Sequence, residues 1–200
     1  MAIEKRVSAA LTALDAGDAN QALHDICSAI EATCQKLYGK GGRLNYKNFI
    51  ADNLELITRS AFGSMSVGNV RFSFDPTLLA PGIDGMVGIE DIMYHLVRCG
   101  LYHNAEIPHG VKFEQSNSFL RMTSDGLVLP NSLVLGFIIA VITCPANRDL
   151  MSTTNALLTV NFLGVPIDKL WGKKRELWSL YKTTDRVRRL VDRIDSPAPR

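Results

Sequence analysis

Residues 89–103 read IEDIMYHLVRCGLYH, and the periodicity of this stretch decides how the rest of the chain is understood. On an ideal helix of 3.6 residues per turn, Ile89, Met93, Leu96 and Gly100 share one side, flanked by Ile92 and Val97. Asp91, His95, Arg98 and Tyr102 follow at i, i+4, i+7 and i+11, which draws a polar stripe on the opposite side. Glu90 and Asp91 suit the start of such a helix, where the peptide dipoles favour negative charge. Gly100 permits close approach of a neighbouring helix, so Arg98 across from it is expected to face a groove. His103 comes five residues after Arg98 and would be turned roughly 140° from it if the helix ran on. The helix should therefore end near Tyr102. Asn104 leaves a helix readily and Pro108 disfavours helical geometry at Ile107, which supports a break there.

Upstream of this segment the pattern is also helical. Ile3, Val7, Ala10, Leu11 and Leu14 mark a first helix that stops at Gly17. Asp18 and Gln21 have capping-box spacing and open a second helix, whose apolar face runs through Leu23, Ile26, Cys27, Ile30, Cys34 and Leu37 to Gly39. The two are expected to form an antiparallel pair. YKNFIADNLELI, residues 46–57, predicts a third, shorter helix, and residues 60–87, rich in Gly, Ser and Pro, predict a long ordered loop.

Downstream, VKFEQSNSFLRM predicts a small hairpin turning at SNS, and residues 133–142 predict a helix buried at the bundle centre. LLTVNFLG has partial strand alternation, with a helix as the alternative, and Asp168 is placed as the cap of the final helix. The fold class expected is mainly α: an up-and-down helical bundle with a small β-hairpin insertion, one domain over residues 1–195 and a frayed tail at 196–200.

Two hundred residues, 46% of them hydrophobic, can bury a substantial core, and a formal charge of +2 is too small to create a nucleic-acid-binding field by itself. Any anion site must come from local placement of Lys and Arg. The N-terminus lacks the apolar core of a secretory signal, and no apolar run approaches the ~20 residues of a membrane span, so a soluble cytoplasmic protein without membrane contact is expected. Cys27, Cys34, Cys99 and Cys144 show no CxxC spacing, which suits reduced thiols, and neither a metal nor another cofactor is expected.

An arginine and a histidine near one another suit cleavage of RNA without a metal. Arg98 would bind a phosphate through its planar fork and offset charge in the transition state, while the His103 imidazole would transfer protons near neutral pH. The plain alternative is a helix-terminal charge and a surface ring. His95, one turn before Arg98, is a candidate substrate-binding residue, as are Tyr102, by stacking or by packing at a dimer seam, and His109 in the following loop. Glu31 on the second helix is read as an exposed carboxylate, with orientation of Arg98 as the alternative. The last helix carries nine Lys and Arg residues from Lys169 to Arg193. They either track an RNA backbone or form a solvated face, while Trp171 and Trp178 anchor the helix.

The segment Arg98-Cys-Gly-Leu-Tyr-His103 resembles the signature of the HEPN superfamily, an arginine followed four to six residues later by histidine at the end of a bundle helix. The order of helices around it is similar as well. The resemblance implies a helical homodimer whose Arg98 and His103 pairs face one another across a cleft. It also implies a metal-independent ribonuclease acting on single-stranded RNA, in a toxin, phage-defence or RNA-processing setting, with an antitoxin or defence protein as a further partner. Some relatives are non-catalytic binding or assembly domains, and Cys99, at a position often polar in active members, keeps that alternative open.

Overall fold

The computed structural model describes residues 2–63, 67–69, 71–73, 85–104, 107, 110–115, 120–151, 156–160 and 163–195. Helix α1 (Ile3–Asp15) buries Ile3, Val7, Ala10 and Leu11, and the chain reverses through Gly17 at φ 79°. Helix α2 (Ala19–Tyr38) packs along it. The Asp18 carboxylate accepts the Gln21 N–H at 2.9 Å, the cap anticipated from sequence. The Gln21 side chain goes forward to Asp25 Oδ2 at 2.8 Å, and Asp25 in turn binds Arg6 of α1 at 2.5 Å. Only half of a capping box forms, because the Asp18 N–H donates to the Ala13 carbonyl of α1 at 2.9 Å.

Helix α3 spans Arg43–Phe62, well beyond the 46–57 expected. The extension follows from its last turns, where Thr58 and Arg59 are buried and Arg59 pairs with Asp185 and lies 5.1 Å from the Tyr181 ring. Helix α6 (Ser132–Thr143) is buried almost all round, as its sequence requires, and crosses α3 at Gly136. A Cβ at Gly136 would collide with the Ile57 carbonyl oxygen, so glycine sets how closely the two helices approach.

The strands depart from expectation in instructive ways. Within residues 60–87, β1 (Arg71–Ser73) pairs antiparallel with β2 (Met86–Gly88), Arg71 opposite Gly88, so the segment is not simply a loop. Strands β3 (Val111–Glu114) and β4 (Arg121–Thr123) do not form a hairpin with each other. Both pair with β5 (Gly126–Pro130), β3 parallel and β4 antiparallel. The physical reason is burial: Leu127, Val128 and Leu129 are all enclosed and take the central place, while every residue of β4 is exposed and suits an edge. The SNS stretch expected to turn the hairpin lies outside the described residues, as do residues 74–84 of the expected loop and the 196–200 tail.

Strands β6 (Leu157–Val160) and β7 (Leu163–Pro166) pair antiparallel, which removes the helical alternative for LLTVNFLG. Asp168 does not cap the last helix. It lies in a 3-10 turn, Ile167–Leu170, and α7 begins only at Lys174. The interruption comes from Gly172, at φ 71°, whose N–H caps the Ile142 carbonyl of α6 at 2.9 Å. Trp171 is buried beside it and Trp178 meets the Tyr181 ring edge-on at 5.9 Å, so both tryptophans pack inward. The fold is mainly α, and no described helix is long and apolar enough to cross a membrane.

Candidate functional site

The stretch from β2 into the candidate site is one continuous helical run with a change of pitch. Ile89–Ile92 is α-helical (α4), Met93–Arg98 is π-helical, and Cys99–Asn104 returns to α geometry (α5). Its apolar side is as expected: Ile89, Ile92, Met93, Leu96, Val97 and Leu101 are buried and Gly100 is enclosed. Only the Tyr102 end of the polar stripe is open to solvent. Asp91 is buried, paired with Lys47 of α3, 3.8 Å from Arg71, and its Oδ2 accepts the Gly88 N–H at 3.3 Å. Burial acts to raise the Asp91 carboxyl, but the Lys47 contact and the Gly88 N–H outweigh it and hold the pKa below its ordinary value.

The π-helical turn alters the alignment that an ideal helix would give. Hydrogen bonds running i→i+5 widen the turn to a little more than four residues, so residues four apart come close to stacking along the axis. Tyr94, Arg98 and Tyr102 do so. The Arg98 guanidinium carbon lies 5.1 Å from the Tyr94 ring centre and 5.2 Å from that of Tyr102, held between two aromatic rings. Arg98 Nε faces Glu31 Oε2 of α2 at 3.5 Å, and both side chains are only about a fifth exposed. Glu31 is therefore not a free surface carboxylate. Its other oxygen accepts the Gly42 N–H at 2.8 Å, which anchors it to the start of α3. Burial would lower the Arg98 pKa, but Glu31, aided by Tyr94 and Cys99, more than offsets this and the net direction is up.

His95 is half-buried and edge-on to Tyr94 at 5.1 Å. Burial, followed by the positive charges of Arg43 and Lys47, pushes its pKa below 6.5 against the opposing pull of Asp91. It is a neutral ring at neutral pH. Tyr102 is exposed, with its hydroxyl 2.5 Å from Ser28 Oγ and its ring stacked on His24 at 5.3 Å. His103 is exposed in the last turn of α5. Among the described residues, no hydrogen bond, ion pair or ring contact joins it to Arg98, whereas Arg98, Tyr102 and Tyr94 form one cluster that His95 joins through Tyr94. His109 lies outside the described residues.

His24 and Ser28 were passed over in the sequence, and Glu31 was weighed there as an orienter of Arg98 only as the alternative to an exposed carboxylate. His24, Ser28 and Glu31 recur at i, i+4 and i+7 beside the apolar stripe of α2, a polar line that could have been found by the same periodicity. Four enclosed atoms in the cluster meet no hydrogen-bond partner: His24 Nδ1, Glu31 Oε2, His95 Nε2 and Arg98 Nε. Of these, Glu31 Oε2 and Arg98 Nε face one another as an ion pair at 3.5 Å, while His24 Nδ1 and His95 Nε2 have no hydrogen-bond partner among the described residues. The described residues contain no group of three or more His, Cys, Asp or Glu side chains placed to hold a metal ion. Burial pushes the Cys27 and Cys34 thiols up to about 12, so neither is a nucleophile at neutral pH.

The chain belongs to the Rv1289 family, whose sequence profile matches residues 2–195. No curated protein and no solved structure matches it.

Proposed function

We propose that this member of the Rv1289 family is a HEPN-like helical bundle that cuts single-stranded RNA without a metal, acting as a homodimer with Arg98 and His103 as its active pair. Arg98 binds the scissile phosphate and offsets the charge that builds on it as the ribose 2′-hydroxyl attacks. His103 moves a proton, and the products carry a 2′,3′-cyclic phosphate and a 5′-hydroxyl. A toxin or phage-defence role, restrained by a partner protein, fits such an activity.

The observation that supports this reading most directly is the state of Arg98. Its guanidinium is clamped between Tyr94 and Tyr102 within the helical run Ile89–Asn104, with Glu31 fixing the Nε edge. Such a clamp presets the orientation of the fork, and preset charge stabilises a transition state without reorganisation. Exposure of His103 beyond it leaves the imidazole accessible to substrate.

A second reading has its own support. Arg98 already has a carboxylate partner and His103 has no described contact with it, an arrangement that also suits a non-catalytic module binding RNA, a nucleotide or a protein. Cleavage of single-stranded RNA in EDTA separates the two. Arg98→Ala and His103→Ala, each shown to fold by its thermal transition, should lose on the order of a hundred- to ten-thousand-fold in rate. Full activity in both variants rejects the assignment, and binding by the unaltered chain without turnover selects the module.

A further inference from the structure

His24 lies on α2, more than seventy positions from the motif in sequence, yet it shares an aromatic ring with the motif arginine. The Tyr102 ring has the His24 imidazole stacked at 5.3 Å, 25° from parallel, and the Arg98 guanidinium at 5.2 Å. The two groups are one tyrosine apart. Ser28 fixes this arrangement: its hydroxyl donates to the His24 carbonyl at 3.0 Å, so the Tyr102 hydroxyl must be the donor in the 2.5 Å bond to Ser28 Oγ. The Tyr102 ring is thereby tethered to the same turn of α2 that carries the imidazole. Within the half-buried His24 ring, Nδ1 is enclosed without a partner, which leaves Nε2 as the nitrogen able to meet a ligand.

Transphosphorylation of RNA moves two protons, one off the 2′-hydroxyl and one onto the departing 5′-oxygen. Within one protomer His103 alone cannot be both base and acid in one step, and the imidazole that shares Tyr102 with Arg98 is that of His24. We propose that His24 is a second catalytic residue of the Arg98 site, the base that acts through Nε2; the inference rests on the ribonuclease reading. As O2′ bonds to phosphorus and the P–O5′ bond breaks, Nε2 of His24 takes the 2′-hydroxyl proton and the His103 imidazolium gives its proton to the 5′-oxygen. Atoms and charge balance, and exchange with water restores both rings.

The test compares single-stranded RNA with uridine 3′-(4-nitrophenyl phosphate), whose leaving group departs without a proton. His24→Phe keeps a ring against Tyr102 but has no nitrogen, and His24→Gln serves as the second variant should Phe disturb folding. The expected result is that His103→Ala is slow on RNA and close to the unaltered chain on the nitrophenyl ester. Both His24 variants should be slow on both substrates, by about a hundredfold or more. If both His24 variants match the unaltered chain on both substrates while Arg98→Ala is inactive, His24 only packs against Tyr102 and the inference is overturned with the ribonuclease reading intact. If the unaltered chain and Arg98→Ala do not differ on either substrate, the ribonuclease reading fails and His24 falls with it.

Discussion

A carboxylate on α2 governs where the motif arginine points. Glu31 spans two jobs, the Arg98 Nε edge and the Gly42 N–H, and its side chain is about four-fifths enclosed. Glu31→Ala should lower stability by about 1–2 kcal/mol, since a partly buried cation and a backbone donor lose their partner while remaining solvent screens the rest; the urea midpoint reads this directly. The Arg98→Ala, Glu31→Ala double variant should cost less than the sum of the singles. His95 makes a pH prediction. Its folded pKa is depressed, so the unfolded chain binds the proton more tightly. The stability this contributes is complete above about 6.5 and is lost as pH falls through the folded value. His95→Gln should flatten that part of the stability profile between pH 7 and 5. A sequence exposes which residues share a face but not what lies opposite, which is why Arg98 and His95 were legible as candidates and Glu31 was misread as solvated.

Periodicity identified most helices because burial enforces it. Helix α6 was legible from its unbroken apolar run, and the α1–α2 pair from Gly17 and the Asp18 cap. What periodicity missed were departures set by tertiary contacts. The π-helical turn at Met93–Arg98 carries no proline or glycine to announce it, and the break before α7 depends on Gly172 reaching the Ile142 carbonyl. The sheet was misread because local turn chemistry favoured a β3–β4 hairpin, whereas the apolar run of β5 wins the central position by burial. Gly136 allows a test of helix approach. Gly→Ala inside a helix ordinarily stabilises by about 1 kcal/mol, but here the added methyl meets the Ile57 carbonyl, so Gly136→Ala should destabilise by about 1–3 kcal/mol in chemical denaturation.

Across the molecule, α2, α3 and the motif helix converge so that Arg98, Tyr94, Tyr102, His24 and Glu31 meet at one place, with the buried Asp91–Lys47 pair tying the motif helix to α3. The sequence pointed to this place through Arg98 and offered Glu31 of the second helix only as an alternative orienter of it, while the His24 contact depends on how helices far apart in the chain come together. Analysis of the ends left on single-stranded RNA incubated with the purified chain in EDTA decides whether Arg98 serves in cleavage. The expected products end in 2′,3′-cyclic phosphate and 5′-hydroxyl and disappear with Arg98→Ala. Intact RNA, products with other ends, or unchanged cleavage by Arg98→Ala would contradict it.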